Sequence, residues 1–136
     1  MYPFNLSITN NVGLYKLKDG RYQTTKRGQV DPIMVGYEYV LVQKEIADYF
    51  ESLNIERVSF VPTIIWDRPN DKEYSDYVRL DVNHHFTEDD INDLDLDGKQ
   101  FLLMNKEYLF VSPELKVELE SSRYGFRFTE GLSFFG

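Results

Sequence analysis

The chain has 136 residues, 42% hydrophobic and 15% aromatic, with no cysteine and a formal net charge of -8. That size and composition suit one globular domain with one core. The lack of cysteine excludes disulfides, thiolate metal sites and a cysteine nucleophile, and fits a reducing compartment. The N-terminus has no basic region followed by a long apolar run, and no stretch approaches 18 apolar residues. The expectation is therefore a cytoplasmic protein with no signal peptide and no membrane span. Charge is uneven. Residues 1–36 carry five basic and two acidic residues, whereas 67–97 carry eleven acidic and three basic ones. Such a chain should repel nucleic acid and anionic membrane and attract a basic partner.

In chain order, residues 1–36 read as a β arm. Phe4–Ile8 and Val12–Leu17 are strand-like, and Asp19-Gly20 is a hairpin signal before Arg21–Thr25. Residues 37–66 form a first strand–helix–strand unit. Tyr37–Val42 is rich in β-branched and aromatic residues. Ile46, Tyr49, Phe50 and Leu53 then recur at helical spacing, with Asn54 able to close the helix. Val58–Trp66 returns as a strand, but Pro62 lacks an amide donor and restricts it to an edge or a bulge.

Residues 67–104 are an acidic middle segment. Asp67–Asp71 is a turn, and Val78, Leu80 and Val82 alternate with polar residues as in a half-buried strand. Thr87 and Asp90 have capping-box spacing, with Phe86 and Ile91 as the hydrophobic staple. The pattern predicts a short acidic helix there, its dipole favouring Glu88, Asp89 and Asp90. Residues 105–136 hold a second unit. Phe101–Met104 and Tyr108–Val111 flank a turn at Asn105-Lys106-Glu107. Ser112-Pro113-Glu114 starts a helix running to about Ser122, and Gly125–Thr129 is a strand.

The two units align at an offset of about 69 residues. Tyr39, Val42, Glu45, Ile46, Phe50, Glu51 and Ser52 match Tyr108, Val111, Glu114, Leu115, Leu119, Glu120 and Ser121. The expected fold is α+β: a mixed, mostly antiparallel sheet with two main helices from a duplicated strand–helix–strand unit and one short acidic helix.

Catalytic signals are weak. Asp93-Leu-Asp95-Leu-Asp97-Gly98 imitates the start of a calcium loop, but Met104 occupies the twelfth position, where a bidentate carboxylate is required. A polar turn explains those residues better. His84 and His85 are adjacent, so a strand would point them to opposite faces. No phosphate loop, metalloprotease motif or nucleophile elbow is present. No cofactor or metal is expected, and the chain does not read as an enzyme.

Three blocks carry a family likeness. They are Tyr39-Val-Leu-Val with its helix and Ile55–Asp67, then Tyr77-Val-Arg-Leu-Asp-Val, and finally Leu109-Phe-Val-Ser-Pro-Glu-Leu followed by Tyr124-Gly-Phe-Arg-Phe128. Over about residues 37–130 the chain resembles a group of bacterial immunity proteins from polymorphic toxin systems, long described as a domain of unknown function. That resemblance implies a stoichiometric cytoplasmic inhibitor of a secreted toxin, with no catalytic residues to carry over. A basic toxin would then meet Asp76, Asp81, Glu88, Asp89, Asp90, Asp93, Asp95 and Asp97, with Trp66, Tyr74 and Tyr77 as aromatic anchors. Two alternatives stay open. One is an acidic mimic of nucleic acid of the phage type, which needs its carboxylates on one continuous face. The other is a small enzyme using carboxylates or His84, which needs a deep pocket.

Overall fold

A computed structural model describes residues 1–133. Its mixed α+β fold has mostly antiparallel strands and two helices. The strands form two sheets rather than the one expected. The six-stranded sheet runs β2 (Leu14–Lys16), β3 (Tyr22–Thr24), β6 (Val58–Asp67), β7 (Lys72–Val82), β5 (Tyr39–Gln43) and β4 (Ile33–Gly36). The five-stranded sheet runs β11 (Phe128–Glu130), β1 (Phe4–Leu6), β10 (Tyr108–Val111), β9 (Phe101–Met104) and β8 (His85–Phe86). Residues 1–36 supply strands to both sheets.

The helices α1 (Lys44–Ser52) and α2 (Pro113–Glu120) each follow a strand directly. In the first unit β5 and β6 both lie antiparallel to β7, so α1 is a crossover between two strands that run parallel. In the second unit β10 and β11 both lie antiparallel to β1, and α2 makes the same crossover. The strand–helix–strand pattern thus becomes two split units, each with a foreign strand in its middle. β7 fills the first from the hairpin after β6. β1 fills the second from the N-terminus.

Apolar side chains set the layers. Along β5, Val40 and Val42 point into the main core, while Tyr39 and Leu41 point into a second cluster. Along β9 and β10, Phe101, Leu103, Leu109 and Val111 join the main core, and Leu102, Met104 and Phe110 face a third cluster. The main core collects inner faces of both sheets, Ile46, Ala47 and Phe50 of α1, and Leu115 and Leu119 of α2. On the outer face of the six-stranded sheet, Val12 and Val30 pack with Leu14 of β2 and Tyr22 of β3 in the second cluster. Ile91, Leu94 and Leu96 cover that of the five-stranded sheet.

Several local readings change in the structure. The expected acidic helix is a single 3-10 turn, Glu88–Asp90, although Thr87 N does donate to Asp90 Oδ2 at 3.0 Å. Beyond it Asn and Asp compete with the backbone for hydrogen bonds, and Leu94 and Leu96 alternate at strand spacing, so the helix does not propagate. Ser112 makes no side-chain cap. Its Oγ instead accepts from Gln100 N at 2.9 Å and donates to Gly98 O at 2.7 Å. Pro62 lies in an internal strand, yet β3 pairs only with Ile65 and Trp66, and the pairing with β7 shifts register just after it, between Thr63 and Ile65. Both outcomes that Pro62 allowed, a local edge and a bulge, are present.

The ring of Phe50 is the meeting point of the main core. It lies 5.2 Å edge-on from Phe101 and 6.0 Å from both Tyr49 and Phe126. Phe50→Ala should lower the unfolding free energy by about 3–5 kcal/mol, measured by urea denaturation.

Candidate functional site

Residues 87–98 form an outer layer on the five-stranded sheet. The segment is there because β9 and β10 have apolar side chains on both faces, and Ile91, Leu94 and Leu96 shield the outer one. Its polar backbone is pinned from beneath. Gln100 is buried, and its Nε2 donates to Asp95 O at 3.1 Å and to Asp97 O at 2.7 Å. Ser112 holds Gly98 O, and Asn105 Nδ2 donates to Glu88 Oε1 at 2.7 Å.

This pinning sorts the acidic side chains. Asp90 is used in its capping box, Glu88 by Asn105, and Asp95 by Arg57 at 3.4 Å. Asp89, Asp93 and Asp97 are exposed, and their carboxylates have no ion pair or hydrogen bond among the described residues. The layer is therefore a fixed backbone bearing three uncommitted charges.

The other expected contact residues lie elsewhere. Asp81 is on β7 of the other sheet, bound by the fork of Arg79 at 2.8 and 3.0 Å. Asp76 is exposed at the β7 irregularity. The acids thus occupy both sheets and do not make one continuous face. Trp66 shares a cross-strand row with Tyr15, Gln23 and Glu73. Arg21 stacks 5.2 Å above its ring and is itself held by Asp19 and Glu73. Tyr74 packs against the second cluster with Lys72 over its ring at 4.7 Å.

Tyr77 is not an anchor for a partner. It is 1% exposed, and its hydroxyl donates to Asp31 O at 2.7 Å. The alternation that predicts a half-buried strand puts Tyr77 on the polar face opposite Val78, and there it packs with Val12, Leu14 and Val30, which come from distant sequence.

The histidines separate as a strand predicts. His84 Nδ1 is 2.8 Å from Gln100 Oε1. Because the Gln100 amide nitrogen is committed to two carbonyls, its oxygen must accept, and Nδ1 carries the proton. The Arg57 guanidinium, 3.3 Å from the same nitrogen, is then a neighbour rather than a donor to it. His85 is exposed at the rim of two open depressions of about 260 and 340 Å³, one reached by Asp81 and Glu38, the other by Asp90. No hydrogen bond joins His85 to a carboxylate, and no group of three or more potential metal ligands occurs among the described residues.

The residues that matter most for this layer, Gln100, Ser112 and Arg57, carried no functional signal. Arg57 is left-handed at φ 59°, which lets one loop residue reach both His84 and Asp95. A cavity of about 460 Å³ lies elsewhere, lined by residues 5–10, and one of about 390 Å³ borders the layer itself at Ile91 and Asn92. No family model, no curated protein and no solved structure matches the chain.

Burial pushes the Tyr77 phenol up to about 12, opposed by hydrogen bonding. A phenol raised in the folded state favours folding fully below its ordinary ionisation near pH 10, and that contribution is lost as pH rises toward 12. An ultraviolet tyrosinate titration should show a late step near pH 12 that Tyr77→Phe removes.

Proposed function

We propose that the chain acts by binding a basic protein, as an immunity protein that neutralises a toxin stoichiometrically. The observation that carries this reading is the outer layer of residues 87–98, with its backbone pinned by Gln100 and Ser112 and with Asp89, Asp93 and Asp97 uncommitted. A fixed layer loses little entropy on docking. Its charge steers a basic partner toward it. The two split units are copies of one ancestral strand–helix–strand element, which supplies the scaffold and leaves binding to the segment between them. The protein works in the cytoplasm, where the toxin would otherwise harm its producer.

A nucleic-acid mimic is less well supported, because Asp76 and Asp81 lie on one sheet and the acids of residues 87–98 on the other. An enzyme is less well supported because the two depressions at His85 are open and hold no carboxylate hydrogen-bonded to it.

Co-expression with the toxin domain encoded beside it should give a one-to-one complex that suppresses the toxin's activity. A toxin that stays fully active with this protein in excess would sink the reading. In the complex, the triple variant Asp89→Asn, Asp93→Asn, Asp97→Asn should slow association by about tenfold at low salt, with the difference closing as ionic strength approaches about 1 M. Stopped-flow fluorescence at several salt concentrations measures both. Asp90→Asn should instead act mainly on stability, because its carboxylate serves the capping box.

A further inference from the structure

Strand β1 is the middle strand of the second split unit, yet no hairpin joins it to either neighbour, β10 or β11. Phe4 and Asn5 pair with Val111 and Phe110 on one side. Phe4, Asn5 and Leu6 pair with Glu130, Thr129 and Phe128 on the other. Leu6 is buried in the main core, and Asn5 Nδ2 donates to Leu109 O at 3.1 Å. Among the described residues β11 has no other partner strand, so its place in the sheet depends on β1. In the first unit the equivalent middle strand, β7, is fastened by a hairpin to β6. β1 has no such tether. Its slot between β10 and β11 is defined by backbone pairing, the Asn5 side-chain hydrogen bond and the core contacts of Phe4 and Leu6, and any copy of residues 4–6 satisfies it equally.

The segment leaving β1 is lightly held. Residues 7–9 run between two cavities, one of about 460 Å³ against Val35, Gly36 and Leu109, and one of about 350 Å³ against Ile33, Ile46 and Phe126. Ser7 N donates to Arg127 O. The next anchors are the Asn10 side chain on Val35 O and Asn11 N on Asp31. Ile8 and Thr9 make no hydrogen bond among the described residues, and Ile8 is partly buried against the main core. Straightening residues 7–10 therefore forfeits few interactions.

We propose that two copies of this chain exchange β1, each N-terminal strand completing the other copy's five-stranded sheet, with residues 7–10 as the hinge. The contacts within each slot are the same in monomer and dimer, so concentration and the hinge decide the balance. The resulting dimer carries two outer layers of residues 87–98.

The chain has no cysteine of its own, so a disulfide can report the exchange directly. Phe4 and Glu130 are register partners. Single variants Phe4→Cys and Glu130→Cys would be unfolded together, refolded as a mixture at about 1 mM and oxidised. The expected product is a heterodimer linked from position 4 to position 130, at least about tenfold more abundant than that from Val117→Cys mixed with Glu130→Cys. Val117 is an exposed control position on α2. A yield no higher than the control would overturn the proposal. Sedimentation of the unmodified chain refolded at the same concentration gives an independent reading: a dimer supports exchange, and a purely monomeric protein refutes it.

Discussion

Strands β5, β9 and β10 lack a polar face, and that constraint governs the architecture. Four consecutive residues of β5, all of β9 and three of β10 are buried. Each such side chain left in water would forfeit roughly 1.5–3 kcal/mol, so both faces of both sheets must be covered. The inner faces cover each other with the help of α1 and α2. The outer faces are covered differently: on the six-stranded sheet Val12 and Val30 pack beside the sheet's own Leu14 and Tyr22, whereas on the other sheet residues 91–96 lie over it.

The acidic segment therefore has two duties with different chemical demands. Its three apolar residues shield Leu102, Met104 and Phe110, while the acids between them face water. Covering a sheet without joining it leaves backbone carbonyls that need partners, and Gln100 and Ser112 supply them from below. The same hydrogen bonds that make the cover affordable in solvation terms also make it rigid. A rigid acidic surface is a by-product of protecting an apolar sheet, and it is the feature on which the proposed binding role rests.

The proposed repeat accounts for scaffold and little else. Val42 and Val111, Ile46 and Leu115, and Phe50 and Leu119 are matched in sequence and are buried in the same core. Where the units differ, the difference is in the middle strand: one is a hairpin partner and the other comes from a segment distant in sequence. The second unit is complete only when β11 has paired with β1, its partner strand among the described residues.

By itself the amino-acid sequence determined the two helices and the bounds of β6, β9 and β10, because hydrophobic period and turn residues are local properties. Lys44–Ser52 and Pro113–Glu120 lie where the stripe at Ile46, Phe50 and Leu53 and the Ser-Pro-Glu start put them. The charge imbalance and the capping box at Thr87 and Asp90 were legible for the same reason. What only the tertiary structure decided was partnership across distance. That the strands divide into two sheets, that β1 lies between β10 and β11, and that Tyr77 is covered by Val12 and Val30 follow from long-range pairing, which no local pattern encodes. The sorting of acids into committed and free ones depends on Gln100, Asn105 and Arg57, residues whose role exists only once the folded chain brings their partners within hydrogen-bond reach.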